Sequence, residues 1–151
     1  MYTPGIIIYE KQTRWEAELK RQFPDAEPRV RPCRRAADIP ALMASMPDSV
    51  LILDLDSGPA ECLRLIGKVA ETVPQPPVVV LAAASLADLE WPARELGAVE
   101  FTANSISGAA LARLCARLLP KTVSHRETRR TGIPQDTSFE FESDLAPNAG
   151  N

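Results

Sequence analysis

Three short stretches of this chain, residues 5–9, 50–53 and 77–81, are apolar almost without interruption. A strand with one face in water alternates apolar and polar side chains. A strand without alternation has both faces buried, the habit of parallel sheets covered by helices. A fourth run, 98–101, is shorter. A fifth, 29–34, is polar and contains Pro32, which a sheet accepts only at its edge.

Helical patterns separate these runs. Thr13 and Glu16 have capping-box spacing, with Trp15, Leu19 and Phe23 on one face behind them. Asp38 precedes Leu42 and Met46. Pro59 suits the first turn of a helix presenting Cys62, Ile66, Val69 and Val73. Ser85 and Asp88 form a second capping box before Leu89 and Leu96. Pro92 falls inside that fourth helix, which must therefore be short, broken or late in starting. Ser107 precedes Leu111, Leu114, Cys115 and Leu118, and Pro120 ends the pattern.

Strand and helix thus alternate five times. Alternation of this kind predicts a parallel sheet with right-handed crossovers and helices on both faces. The expected fold is α/β, a doubly wound, flavodoxin-like (βα)5 sheet of order 2-1-3-4-5 over residues 1–120. Ligands of such sheets bind beyond the strand carboxyl ends, at the switch between strands 1 and 3. That places Glu10, Asp54 and Asp56 side by side. Residues 121–151 lack a sustained apolar period and read as a flexible tail. Within it, Phe139 and Phe141 alternate with glutamates, either as a strand that adds to a sheet edge or as solvated chain. The basic stretch 125–130 reads as a linker.

Composition narrows the function. The 151 residues, 45% hydrophobic, suffice for one core, and a net charge of −3 gives nucleic acid no basic face. The single histidine, His125, leaves little for a histidine metal site or triad. Cys33, Cys62 and Cys115 form no CxxC pair and read as small core residues in a reducing compartment. No run reaches membrane-spanning or signal-peptide length, so no membrane is expected and the cytoplasm is. No glycine follows strand 1 (Tyr9-Glu10-Lys11-Gln12-Thr13), and no nucleophile-base set stands out, so no enzyme is expected.

Three strings resemble the receiver domain of bacterial response regulators over residues 5–119. They are Val50-Leu51-Ile52-Leu53-Asp54, Val78-Val79-Val80-Leu81-Ala82 and Leu96-Gly97-Ala98-Val99-Glu100-Phe101. In that family, strand-end carboxylates bind Mg²⁺ and one aspartate takes a phosphoryl group; a lysine and a Thr/Ser then read it. The resemblance puts the phosphoacceptor at Asp54. It puts the acidic pair at Tyr9 and Glu10, the hydroxyl at Ala82, the lysine at Asn104 and the following proline at Ser105. The loop after Asp54 is shorter than usual and lacks the Met-Pro-x-Met-Asp-Gly turn.

Tyr9, Ala82 and Asn104 have thus lost the family chemistry. What remains is weak Mg²⁺ binding by Glu10, Asp54 and Asp56, with no other cofactor expected. Each residue also has a plainer role: Asp54 capping local N–H groups, Glu10 solvated at a strand end, Asn104 in a turn, Trp15 in the core. The resemblance implies a degenerate receiver, or pseudoreceiver, of two-component signalling that acts by protein–protein interaction. Its partner, or a second copy in a homodimer, would use the face of helix 4, strand 5 and helix 5, with Trp91 and Phe101 as aromatic candidates. Trp91 either supplies that contact or fills space under a loop. The alternatives are a single-domain response regulator phosphorylated on Asp54 and a small-ligand binder at the strand-end cleft.

Overall fold

The computed structural model describes residues 3–121. Phe139, Phe141 and the stretch 125–130 lie outside the described residues. The elements in order are β1 (Gly5–Tyr9), α1 (Trp15–Gln22), β2 (Arg29–Cys33), α2 (Ile39–Ser45), β3 (Ser49–Asp54), α3 (Pro59–Ala70), β4 (Val78–Leu81), α4 (Glu90–Leu96), β5 (Glu100–Thr102) and α5 (Gly108–Leu118). Single 3₁₀ segments lead into α2, α3 and α4. All strand pairs are parallel, in the order β2-β1-β3-β4-β5. This is the doubly wound α/β sheet that the alternation predicts.

The continuous apolar runs serve two cores at once. Ile7, Tyr9, Leu51, Leu53, Val78 and Val80 face one layer, packed with α2, α3 and α4 residues such as Ile39, Ile66 and Ala93. Ile6, Ile8, Val50, Ile52, Val79 and Leu81 face the other, with Trp15 and Leu19 of α1 and Leu111 and Cys115 of α5. Ile6, Ile7 and Ile8 are wholly buried, each contributing on the order of 1.5–3 kcal/mol. Strand β2 is one edge, opposite β5, with Arg29 and Arg31 exposed and Pro32 within it.

Several local expectations are corrected. Strand β5 starts at Glu100, not at residue 98, because the preceding residues finish α4. Gly97 (φ 123°) and Ala98 turn back, and the Ala98 N–H donates to the Ala93 carbonyl at 3.0 Å. Helix α3 ends at Ala70, which leaves Val73 97% exposed instead of on the core face. The Ser85–Asp88 box does not form: both residues lie in a 3₁₀ segment, and α4 begins at Glu90 without a side-chain cap. Pro92 then sits in the first turn of a late, short helix, where its missing N–H costs nothing. Asp38 occupies the N-cap of α2 without a side-chain hydrogen bond. Ser107 does cap α5, its Oγ accepting from the Ala110 N–H at 3.1 Å.

Candidate functional site

Parallel register aligns the strand carboxyl ends. Tyr9 pairs with Leu53, Asp54 with Leu81, and Leu81 with Thr102. Glu10, Asp54 and Ala82 therefore share one edge of the sheet, as the topology predicts. A small cleft of about 280 Å³ opens there, lined by Asp54, Asp56, Ala82, Asn104 and, from the start of α1, Arg14 and Trp15.

Glu10 is wholly buried, not solvated. One carboxylate oxygen, Oε1, accepts from the Arg14 and Glu16 N–H groups at 3.2 and 3.0 Å; the other, Oε2, accepts from the Trp15 N–H at 3.0 Å. These are orphan donors of a helix N-terminus, where negative charge is also favoured. Glu10 therefore does the work expected of a Thr13–Glu16 capping box, which is not made. Thr13 Oγ1 and Glu16 Oε2 instead accept from Arg34 Nη2 at 2.6 and 3.0 Å, and Arg34 Nη1 reaches Glu10 Oε1 at 3.7 Å.

Asp54 ends β3 and caps the turn after it. Its Oδ1 accepts from the Asp56 N–H at 3.3 Å and its Oδ2 from the Ser57 hydroxyl at 3.2 Å. Burial pushes the Asp54 carboxyl above the usual carboxylate range; the bonds from Asp56 and Ser57 oppose this, and the charges of Asp56 and Glu10 add to it. Asp56 in turn holds the far wall, its Oδ1 accepting from the Ala83 N–H at 3.2 Å. Ser57 Oγ also accepts from the Lys11 N–H at 2.8 Å, which ties the loop after β1 to the loop after β3.

Tyr9, one residue before Glu10, points to the opposite layer. It is wholly buried, and its hydroxyl donates to Glu61 Oε2 on α3 at 2.7 Å. Burial, then the Glu61 carboxylate, drive its pKa far above the ordinary phenol value. Tyr9 thus links β1 to α3. Ala82 offers only a methyl group, and its N–H bonds the Thr102 carbonyl at 2.9 Å. Asn104 is exposed at the cleft rim.

Among the described residues, no three His, Cys, Asp or Glu side chains gather as a metal site. Both oxygens of Glu10 accept N–H donors of the α1 N-terminus, so its carboxylate serves as a helix cap. The cysteines are buried; burial pushes the Cys62 and Cys115 thiols up to about 12, which makes them poor nucleophiles.

Arg14 is the cleft residue that sequence reasoning missed. Its guanidinium stacks 4.6 Å from the Trp15 ring centroid and supplies the cleft with a cation from α1. The available signal was its position, at the start of the helix that follows β1. Of the interaction candidates, Trp91 is 70% exposed on α4, whereas Phe101 is buried in the core and presents no surface.

A parallel five-stranded sheet wound this way, with its cleft at the carboxyl ends of β3, β4 and β5, defines the flavodoxin-like class of α/β domains. More narrowly, the chain has the fold of response-regulator receiver domains. It is similar to the signal receiver domain of a two-component response regulator from Bacteroides fragilis: TM-score 0.67, 16% identity, covering 77% of this chain and 96% of that one. It is also similar to a chemotaxis response regulator of Vibrio cholerae: TM-score 0.64, 13% identity, 79% and 100% covered. A third is a response regulator from Thermotoga maritima: TM-score 0.63, 17% identity, 77% and 97% covered. No protein-family model and no curated protein matches the sequence. No described helix is long and apolar enough to cross a membrane.

Proposed function

We propose that this domain is a receiver-like regulatory module that works by binding protein, not by catalysis or phosphotransfer. One observation carries the reading: all three carboxylates at the strand ends are engaged by main-chain N–H groups of the fold itself. A phosphoryl switch needs such groups free to take up a cation and a new anion, and to rearrange when they do. Here they cap and tie. The methyl of Ala82 and the exposed amide of Asn104 give a phosphoryl group neither hydroxyl nor lysine.

The contact surface in this reading is the α4–β5–α5 face, with Trp91 as its anchor. An exposed tryptophan on a short helix suits an interface hot spot. The partner is another protein or a second copy of the chain.

A second reading, phosphorylation on Asp54, is favoured by Arg14, whose charge in the same cleft could offset a phosphoryl anion. Intact mass separates the two. The protein is incubated with acetyl phosphate, with and without Mg²⁺, beside Asp54→Asn. No mass gain is expected. A phosphoryl-sized gain that requires both Mg²⁺ and Asp54 would replace the first reading with the second.

A further inference from the structure

A second cavity lies away from the strand-end cleft. Helix α1 packs on α5 and α3 on α4, and a groove runs between α2 and α3. The groove between them encloses about 730 Å³, within the range of pockets that bury a drug-sized ligand. Met43 and Met46 line one wall, Leu65 and Val69 the other, and Val73, almost fully exposed, stands at its mouth.

Two further observations concern polar groups. Ser49 starts β3 and lines the groove. Its side chain has the parity of Leu51 and Leu53, which face the α2–α3 layer. Ser49 is 3% exposed, and its Oγ has no hydrogen-bond partner among the described residues. Buried hydroxyls are ordinarily paired, so this one has unused hydrogen-bonding capacity inside an apolar groove. On the wall, Arg64 and Lys68 lie one turn apart on α3; neither makes an ion pair among the described residues. Glu61, the acid on the same wall, is taken by Tyr9 and Lys11.

We propose that the α2–α3 groove binds a small amphipathic carboxylate. Its apolar body lies against Met43, Met46 and Leu65, its carboxylate meets Arg64 and Lys68, and Ser49 partners a polar atom on its buried end. The unpaired cations set the sign of the head group, and the apolar walls with one hydroxyl set the character of the body. Methionine walls adapt to the shape of the body and open a path to Ser49 at small cost.

Calorimetric titration of the full chain tests this with three probes: decanoate, decan-1-ol and 10-hydroxydecanoate. Decanoate should bind the wild type. The double variant Arg64→Ala/Lys68→Ala should weaken decanoate about tenfold, roughly 1.4 kcal/mol, and leave decanol unchanged. Ala44→Trp, at an exposed α2 position that lines the groove, should abolish binding of all three while circular dichroism stays native. Ser49→Ala should bind decanoate like the wild type but lose affinity for 10-hydroxydecanoate. Absence of decanoate binding, equal weakening of acid and alcohol in the double variant, or full binding to Ala44→Trp would each overturn the groove assignment. Unchanged 10-hydroxydecanoate affinity in Ser49→Ala would overturn the role of the hydroxyl.

Discussion

The strand-end cleft and the α2–α3 groove are opposites. The cleft holds Arg14, Asp54 and Asp56, yet its carboxylates are spoken for: Asp54 caps the turn after β3 and Asp56 holds Ala83, while Glu10, buried at the same strand ends, caps α1. The groove is mostly apolar, yet it holds polar groups left unused among the described residues, a buried hydroxyl without a partner and two cations without counter-ions. Ionisable residues in a cleft are therefore a poor guide to available chemistry. What counts is the hydrogen-bonding capacity left after the backbone has been satisfied.

Substitutions sharpen this contrast, the largest effect first. Glu10→Ala strips three N–H groups of their acceptor and takes one of its two carboxylates from Arg34. It should cost about 3 kcal/mol, read from the urea midpoint. A loss below about 0.5 kcal/mol would mean that the carboxylate is not structural and would reopen the cleft as a ligand site. Tyr9→Phe removes one bond to a carboxylate that keeps Lys11 and solvent nearby, so about 1 kcal/mol should go.

Asp54→Asn should act in the other direction. Asp54 holds its proton more tightly in the folded chain than in the unfolded one, because burial disfavours its charge. The stability it contributes is therefore full below the unfolded value, near pH 3.9, and is lost as pH rises through the raised folded value. The asparagine variant escapes that loss. It should match the wild type in acid and be more stable at neutral pH, in denaturation series across pH. A destabilised variant at pH 7 would show that the charged carboxylate contributes more through its hydrogen bonds than burial takes away. The smallest effect is Ser49→Ala, a gain of a few tenths of a kcal/mol, because an unpartnered hydroxyl leaves the interior. A loss in thermal unfolding would mean that the hydroxyl has a partner.

The sheet was legible from residues 5–9, 50–53 and 77–81 because continuous burial writes itself into every residue of a strand. Pro32 marked the edge and Pro92 the late fourth helix, since proline acts on the backbone directly. The cleft was legible as a location, because topology alone brings Glu10 and Asp54 together. The use made of Glu10 was not. Thr13 and Glu16 have the spacing of a capping box, and only the turn between β1 and α1 decides that a residue further upstream reaches the helix first. Phe101 shows the same limit: its place next to the expected contact face said nothing about which way its ring points. The groove left no trace in the sequence, because it arises from a gap between two helices that each look ordinary.

The β2 edge has a consequence for assembly. Two such edges brought side by side would crowd Arg29 and Arg31 of both chains together, and Pro32 would leave a rung of the ladder without its N–H. Copies of this domain are thus steered away from zipping into a shared, extended sheet through β2. The edge strand carries its own guard against self-pairing, written in two charges and one missing donor.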